Sequence, residues 1–503
     1  MKTSNKFIKF ITSKYLILAV QLIATAVFTY LVYGTNMVPN RYIIGGCAGL
    51  CLLIIIFFFI MRSGQKKINE GQRSKRSIIT KVISLLMSIL LMVASSFVVR
   101  GNSFFDNVTE ATTQNYLVSV ITMKDSKANK LSDLNGAKFG VSYQYDTTTI
   151  TKAIADIENE IGEQDDITRY DDYTGLADAL YNGEVDAIVV GQEYKPMLEA
   201  NHESFDDDTK IIKSYEYESK LSVTTKQTNV TENTFTVYVT GIDTYGSVNT
   251  VARSDVNLIV SVNPIEKQIL MTSIPRDCEI ELHRNGEMDK LTHTGIYGTS
   301  ETISTIEDFL DVQINYFART NFSGITNIID ALGGVTVDSD YAFTTLHGNY
   351  EIVKGENEMD GDKALCFVRE RYSLPNGDFD RGKNQQKLLK AMLDKAMSAR
   401  IITNFDNILS AIEGCFETDM SSDEIRSLIN MQLDDMAEWE VYDIQVAGEG
   451  YQTDETYSMS GQKVYVMKPY KKQLSMIKDV IDKIEAGERI SNDDIEEIND
   501  YQG

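Results

Sequence analysis

Apolar positions along this chain fall into two regimes. Before residue 105 they form three apolar runs, at about 15–34, 42–61 and 79–99, uncharged except for Lys81. Each has the roughly 17–25 residues that a helix needs to cross a bilayer. The first run is too long for a signal peptide and lacks its small-residue cleavage site. Beyond residue 105 the apolar positions come in short alternating stretches and helical stripes. LVSVIT (117–122), KFGVSY (138–143) and VDAIVVG (185–191) read as strands, and 148–161 and 174–181 as helices. Residues 106–225 therefore predict a small α/β unit. A polar, Thr-rich linker follows at 226–234.

A second α/β pattern begins abruptly at FTVYVTGID (235–243). SDVNLIVSVNP (254–264), KQILMTSIPRD (267–277), INYFART (314–320) and ALCFVRERY (364–372) read as strands. Residues 302–310, 322–332 and 383–399 read as helices, with more helices over 406–462 and a late edge strand at KVYVMKP (463–469). The repeated β–α order predicts an α/β/α sandwich over 235–485, with an acidic, flexible tail at 486–503.

Charge sharpens the boundary. The first 105 residues carry 13 Lys and Arg against one acid, Glu70, whereas the rest carries 35 basic and 72 acidic residues. Basic residues cluster before the first run and between the second and third. This places the N-terminus in the cytoplasm and everything after Arg100 outside, in a multi-pass cell-membrane protein. Gly45 and Gly49 make a GxxxG spacing that would let two spans pack closely. The acidic ectodomain argues against nucleic acid as a ligand. Five cysteines and four histidines show no metal-ligand spacing and no disulfide framework.

The chemistry concentrates in FVRERYSLPNGDFDRGKNQQ (367–386). Arg369 and Arg371 precede a Pro-Asn-Gly turn, and Arg381 and Gln385 share a helix face beyond it. Arg253 and Asp255 open one strand, Arg276 follows another, and Asp243 closes a third. Strand ends of an open α/β sheet are where ligands bind. Taken singly, each Arg/Asp pair reads as a surface salt bridge. Together they suit a pyrophosphate, since arginine gives bidentate donors. A hard cation would then be held by Asp243 and Asp255. Asp378 is best placed to take a proton from an incoming hydroxyl.

Two resemblances follow from the motifs. LSDLNGAKFGV and YTGLADALYNGEVDAIVV resemble one lobe of extracellular solute-binding proteins. More specifically, RSDVNLIVSVNP, SIPRD, GEMDKLTHTGIYG, INYFARTNFSGITNIIDALGGVTVD and ALCFVRERYSLPNGDFDRGKNQQ resemble the LytR-CpsA-Psr family, over about 235–480. Three spans and an interposed accessory domain resemble its capsule-linked branch. The resemblance implies a membrane-anchored, Mg²⁺-dependent phosphotransferase. Such enzymes move a glycopolymer of capsule or teichoic-acid type from polyprenyl pyrophosphate to peptidoglycan. Arg253, Arg276, Arg369, Arg371, Arg381 and Gln385 would grip phosphate, Asp243 and Asp255 the metal, and Asp378 would be the base, with Arg276 and Arg381 also catalytic. Leu258, Val260, Phe317, Phe322, Ile325 and Ile329 are apolar candidates for the lipid path. A polyprenyl-pyrophosphate phosphatase, or a non-enzymatic lipid-pyrophosphate sensor, would use the same arginines.

Overall fold

The structure is a computed structural model and describes residues 13–69, 75–109, 111–164, 166–221, 227–242, 247–397, 408, 411 and 414–501. Three apolar helices, α1 (Lys14–Gly34), α2 (Asn40–Asn69) and α3 (Lys75–Val108), pack on one another. All three are long and apolar enough to cross a membrane. Their contact uses Ile17, Leu18 and Met61 and a Ser84 Oγ hydrogen bond to Gln21 Oε1 (2.5 Å). Gly45 and Gly49 face outward with no atom near either Cα face, so the GxxxG spacing does not form a helix contact. The link between α1 and α2 reaches the last domain, where Arg41 pairs with Asp434 (Nε–Oδ1 3.2 Å) and Asn430 Nδ2 donates to the Asn36 carbonyl (2.9 Å).

The first sheet has strand order β3-β2-β4-β1-β5. Its strands are β1 (Thr113–Met123), β2 (Phe139–Ser142), β3 (Ile167–Tyr170), β4 (Ala187–Gly191) and β5 (Thr209–Lys220). Alternation divides its faces. Val118, Val120 and Val189 meet helix α4 (Thr148–Ile161), while Ile121, Ile188 and Val190 meet α5 (Tyr173–Tyr181). Polar alternation hid β5 as a core element, because its outer face is solvated.

The second sheet has order β10-β9-β6-β7-β8-β11. Here β6 is Phe235–Ile242, β7 Ser254–Asn263, β8 Gln268–Ser273, β9 Tyr316–Thr320, β10 Phe416–Thr418 and β11 Glu440–Gln445. β6 runs parallel to β9 and β8 parallel to β11, while β6, β7 and β8 form an antiparallel meander. Leu258, Val260 and Val262 face one helical layer. It comprises α9 (Asp378–Ala396) and α10 (Ser422–Asp435). Ile259 and Leu270 face the other, made by α6 (Thr299–Leu310), α11 (Lys471–Glu485) and α12 (Asn492–Asn499). This is the expected α/β/α sandwich. Helices α7 (Phe322–Ala331) and α8 (Gly361–Arg369) pack together beside it.

Three local expectations change. ALCFVRERY is not a strand: residues Gly361–Arg369 are helical, started by Asp360, whose side chain accepts from Lys363 N (2.9 Å). Within 406–462 the described residues hold α10, helical residues 408 and 411, and strands β10, β11 and β12 (Gly448–Thr453), the last paired with β13 (Val464–Pro469). The acidic tail is also ordered. Ser491 and Asp494 form a capping box for α12, and Ile495 and Ile498 enter the core beside Ile481 and Ile484. Burial of two isoleucines outweighs the acidity, since the carboxylates occupy the opposite, solvated face. Ile498→Ala should therefore cost about 2–5 kcal/mol and lower the thermal midpoint of the whole domain. A frayed tail would leave that midpoint unchanged.

Candidate functional site

The site is built at the edge where β7 begins and β8 ends. Ser254 anchors the start of β7. Its Oγ lies 2.7 Å from Tyr238 OH and 2.9 Å from Thr240 Oγ1, and donates to Asn257 Oδ1 (2.7 Å). This buried hydroxyl network fixes the backbone on which Arg253 and Asp255 sit. The short helix Leu291–Thr294 and the turn after it press on the same backbone. A Cβ on Gly295 would meet Ala252 O and Ser254 N at 2.5 Å, so only glycine allows that approach.

Arg276 lies three residues past β8. Its carbonyl accepts from Thr292 N (2.9 Å), and its Nη1 donates to both oxygens of Asp255 (3.1 and 3.0 Å). Thr292 Oγ1 also donates to Asp255 Oδ1 (3.0 Å). Burial alone would raise the Asp255 carboxyl, but Arg276, Arg253 and Arg381 together hold it below the usual carboxylate range. Asp255 is thus an ionised carboxylate at the floor of a cationic pocket.

The opposite wall comes from α8, α9 and the turn between them. Arg369 ends α8 and lays its guanidinium 4.1 Å over the Phe322 ring. Arg371 stacks on Tyr372 at the mouth and donates to its hydroxyl (2.5 Å). Between the two arginines, Glu370 is buried. Its Oε1 accepts from the backbone N–H of Arg371 (3.0 Å), Tyr372 (2.9 Å) and Ser373 (3.0 Å), and Oε2 from Leu346 N (2.5 Å). Gly377 then turns the chain at φ +53° into α9. Asp380 folds back on the turn, accepting from Asn376 N (2.9 Å). Arg381 and Gln385 project one helical turn apart, and Gln385 Nε2 donates to Val368 O (3.4 Å).

These elements enclose a cavity of about 380 Å³. Arg253, Arg276, Arg369, Arg371, Arg381 and Gln385 all line it, and Asp255 is its sole acidic lining residue among those described. All six sequence-derived candidates for phosphate binding therefore line one cavity, with the metal candidate Asp255. Asp243 lies outside the described residues. Asp378 stands beside the cavity, in ion pairs with Arg381 Nη2 (2.6 Å) and Arg276 Nε (3.9 Å). Burial raises its carboxyl above the ordinary value, and Arg381 opposes that rise. Of the lipid-path candidates, Phe322 and Ile325 line the cavity, with Leu365 and Val368. Leu258, Val260, Phe317 and Ile329 are ordinary core instead. Their sheet and helix positions face other layers, which spacing alone could not reveal. Glu370, Thr292 and His347 were missed. Glu370 carried a signal, an acid set between two arginines.

Five guanidiniums around one carboxylate make a strongly positive, partly enclosed site. Such a site takes a multiply charged anion. Among the described residues no cluster of three or more His, Cys, Asp or Glu is arranged for a metal. A lone buried, ionised carboxylate fits Mg²⁺, which binds one or two carboxylates and completes its shell with water and phosphate oxygens.

The fold and site thus define an α/β/α domain with a strongly cationic cavity, joined to membrane-length helices. The LytR_cpsA_psr family profile matches residues 197–479, more than half of the sequence, and the chain belongs to that family. A DNA polymerase processivity factor profile matches residues 74–190, a minority of the chain. The chain is 32% identical over 197 residues to the polyisoprenyl-teichoic acid–peptidoglycan teichoic acid transferase TagU of Enterococcus faecalis, covering 39% of this chain and 64% of that protein. It is 34% identical over 192 residues to TagU of Bacillus licheniformis, covering 38% of this chain and 61% of that protein. The chain thus spans less than two thirds of the length of these relatives. A crystal structure of B. subtilis TagV aligns with 24% identity and a TM-score of 0.44, over 52% of this chain and 99% of that one.

Proposed function

We propose that this protein is a membrane-anchored transferase. It moves a glycopolymer from polyprenyl pyrophosphate to a hydroxyl of peptidoglycan. The observation that carries this reading is the convergence of five arginines and Gln385 on one cavity with Asp255 at its floor. The names of the curated relatives support it. The acceptor oxygen forms a bond to the sugar-side phosphorus, and the bond from that phosphorus to the lipid-side phosphate oxygen breaks. Polyprenyl phosphate leaves, and a phosphodiester joins glycan to wall.

Arg276 and Arg381 present guanidiniums already fixed by Asp255 and Asp378. They need little reorganisation to stabilise charge on the moving phosphoryl group. Arg369 is held by Phe322, while Arg371 at the mouth is positioned to seat the second phosphate. Asp255, with Asp243, would hold Mg²⁺, which when bound would neutralise charge on the pyrophosphate oxygens. The acceptor proton passes to Asp378. The basic N-terminus and second loop support an outward-facing catalytic domain. So does the contact of the α1–α2 link with α10.

The test uses the full-length protein in detergent, a lipid-pyrophosphate oligosaccharide and peptidoglycan fragments. One polyprenyl phosphate should appear per glycan–phosphate–peptidoglycan linkage. Lipid phosphate released with no linked product would sink the transfer reading in favour of hydrolysis. In the same assay Asp378→Asn should lower kcat roughly 10²-fold or more. A base must be ionised, so wild-type rate rises with pH through the raised Asp378 pKa. The variant should lose that acidic limb. If the limb persists and only KM changes, Asp378 positions the arginines and is not the base.

A further inference from the structure

Residues 289–295 support the arginine cavity without lining it. Thr292 N donates to the Arg276 carbonyl (2.9 Å), and Thr292 Oγ1 donates to Asp255 Oδ1 (3.0 Å). Gly295 packs so close to Ala252 O and Ser254 N that a Cβ there would stand 2.5 Å from each. One short stretch of chain thus holds Arg276, Asp255 and the backbone on either side of Arg253. Asp289 opens that stretch and is fully buried. Its Oδ1 accepts from Lys290 N (2.7 Å) and lies 2.6 Å from His293 Nδ1. Its Oδ2 accepts from Ser458 N (3.0 Å) and from the Ser458 hydroxyl. A buried carboxylate is costly unless donors satisfy it in this way.

Ser458 belongs to the β12–β13 connection, which reaches across to the first α/β unit. Its one hydroxyl hydrogen goes to Asp289, so the Tyr297 hydroxyl, 2.7 Å away, donates to Ser458 Oγ. Tyr457 N donates to Met288 O (3.0 Å), which ties the connection to the start of 289–295 by backbone as well. Tyr145, in the loop after β2, closes this arrangement from the first unit. Its hydroxyl donates to Tyr457 O (2.8 Å). Its ring meets that of Tyr297 edge-on at 5.7 Å and that of Tyr457 at 5.4 Å. Contacts therefore run without a break from Tyr145 through Tyr457 and Ser458 to Asp289. From there the short helix Leu291–Thr294 carries them to Asp255 and Arg276.

We propose that Asp289 is a positioning residue for the reacting centre, and that Tyr145 of the first α/β unit completes the clamp that Asp289 forms with Ser458. The inference rests on the reading of Asp255 and Arg276 as part of that centre. It gives the first unit a task in transfer: it steadies the segment that steadies the site. Thr292 bonds to both partners of the Asp255–Arg276 ion pair, so a shift of 289–295 moves the two together. A displacement of about 1 Å in such a group costs on the order of 10²-fold in rate. No residue of the clamp needs to touch substrate.

The test is transfer by the full-length protein in detergent, with kcat, KM for the lipid-pyrophosphate oligosaccharide and a thermal midpoint for each variant. Tyr145→Phe keeps the ring and removes one hydrogen bond. It should lower kcat roughly fivefold and leave KM unchanged. Thr292→Val, which deletes the hydroxyl donor to Asp255, should lower kcat roughly tenfold. The double variant should lose little more than Thr292→Val alone, because both changes act on one support. Asp289→Asn cannot accept on both sides and should cost roughly 10²-fold in kcat. If it does not fold, Tyr145→Phe and Thr292→Val carry the test. Losses that multiply in the double variant overturn the proposal. So does a Tyr145→Phe variant whose kcat is unchanged, whether or not its thermal midpoint falls. If Arg276→Ala transfers at the wild-type rate, the reading of the arginine cavity itself fails, whatever the Tyr145 and Thr292 results.

Discussion

Arg381→Ala should lower kcat/KM for polymer transfer roughly 10²–10³-fold, the usual cost of removing one preorganised donor from a developing anion. Arg381 is 2.6 Å from Asp378 and is largely buried on α9. Its guanidinium is therefore aimed before substrate arrives. Burial lowers its pKa somewhat, and Asp378 offsets part of that, but arginine remains cationic throughout the working range. Its removal also leaves the Asp378 carboxyl without its nearest cation, so that carboxyl should rise further. Arg381→Lys is the informative control. It restores charge without the planar fork and should recover only part of the loss. Steady-state kinetics with a thermal midpoint on each variant would separate chemistry from folding. A loss under tenfold, with the fold intact, would remove Arg381 from the reacting centre.

Glu370→Ala should be the most damaging change at the site that touches no substrate. Four backbone N–H groups converge on its carboxylate. Without an acceptor they are left in a buried turn, a destabilisation on the order of 3–5 kcal/mol. Arg369 and Arg371 flank the residue, so pyrophosphate affinity should fall with it. Glu370→Gln keeps an acceptor for the three donors to Oε1 and loses the bond from Leu346. Its cost should be smaller, about 1–2 kcal/mol. The pH dependence follows. Burial would raise this carboxyl, but the backbone donors hold it below the ordinary value. It contributes stability above its unfolded pKa near ~4.3, and that contribution is lost as pH falls through the lower folded pKa. Denaturation monitored from pH 6 to pH 3 should show a shallower acid decline in Glu370→Gln than in wild type.

Much of this was legible along the chain. Apolar runs of membrane length need only length and composition. The strands at 254–263 and 268–273 declare themselves as short, largely apolar runs, because both faces are covered, one by α9 and α10 and the other by α6 and α11. The six candidate phosphate ligands were picked out along the chain as a set, and the structure lines one cavity with all of them. Residues 361–369 were misread because a short apolar run has no decisive period. Asp360, an N-cap before that run, was the cue for a helix. The capping box at Ser491 was the matching cue for α12.

The sequence by itself determined the membrane-length helices, the two α/β units and the chemistry of the arginine set. Each follows from local composition or from periodicity, which neighbours in the chain specify. Only the tertiary structure decided which residues face the same space. It closed the second sheet with β11, a strand contributed from far along the chain. It sent Leu258, Val260, Phe317 and Ile329 to the core and buried Glu370 beneath the arginine turn. Those outcomes depend on contacts between segments separated in the chain, and no local pattern encodes which side of a sheet or helix will be covered.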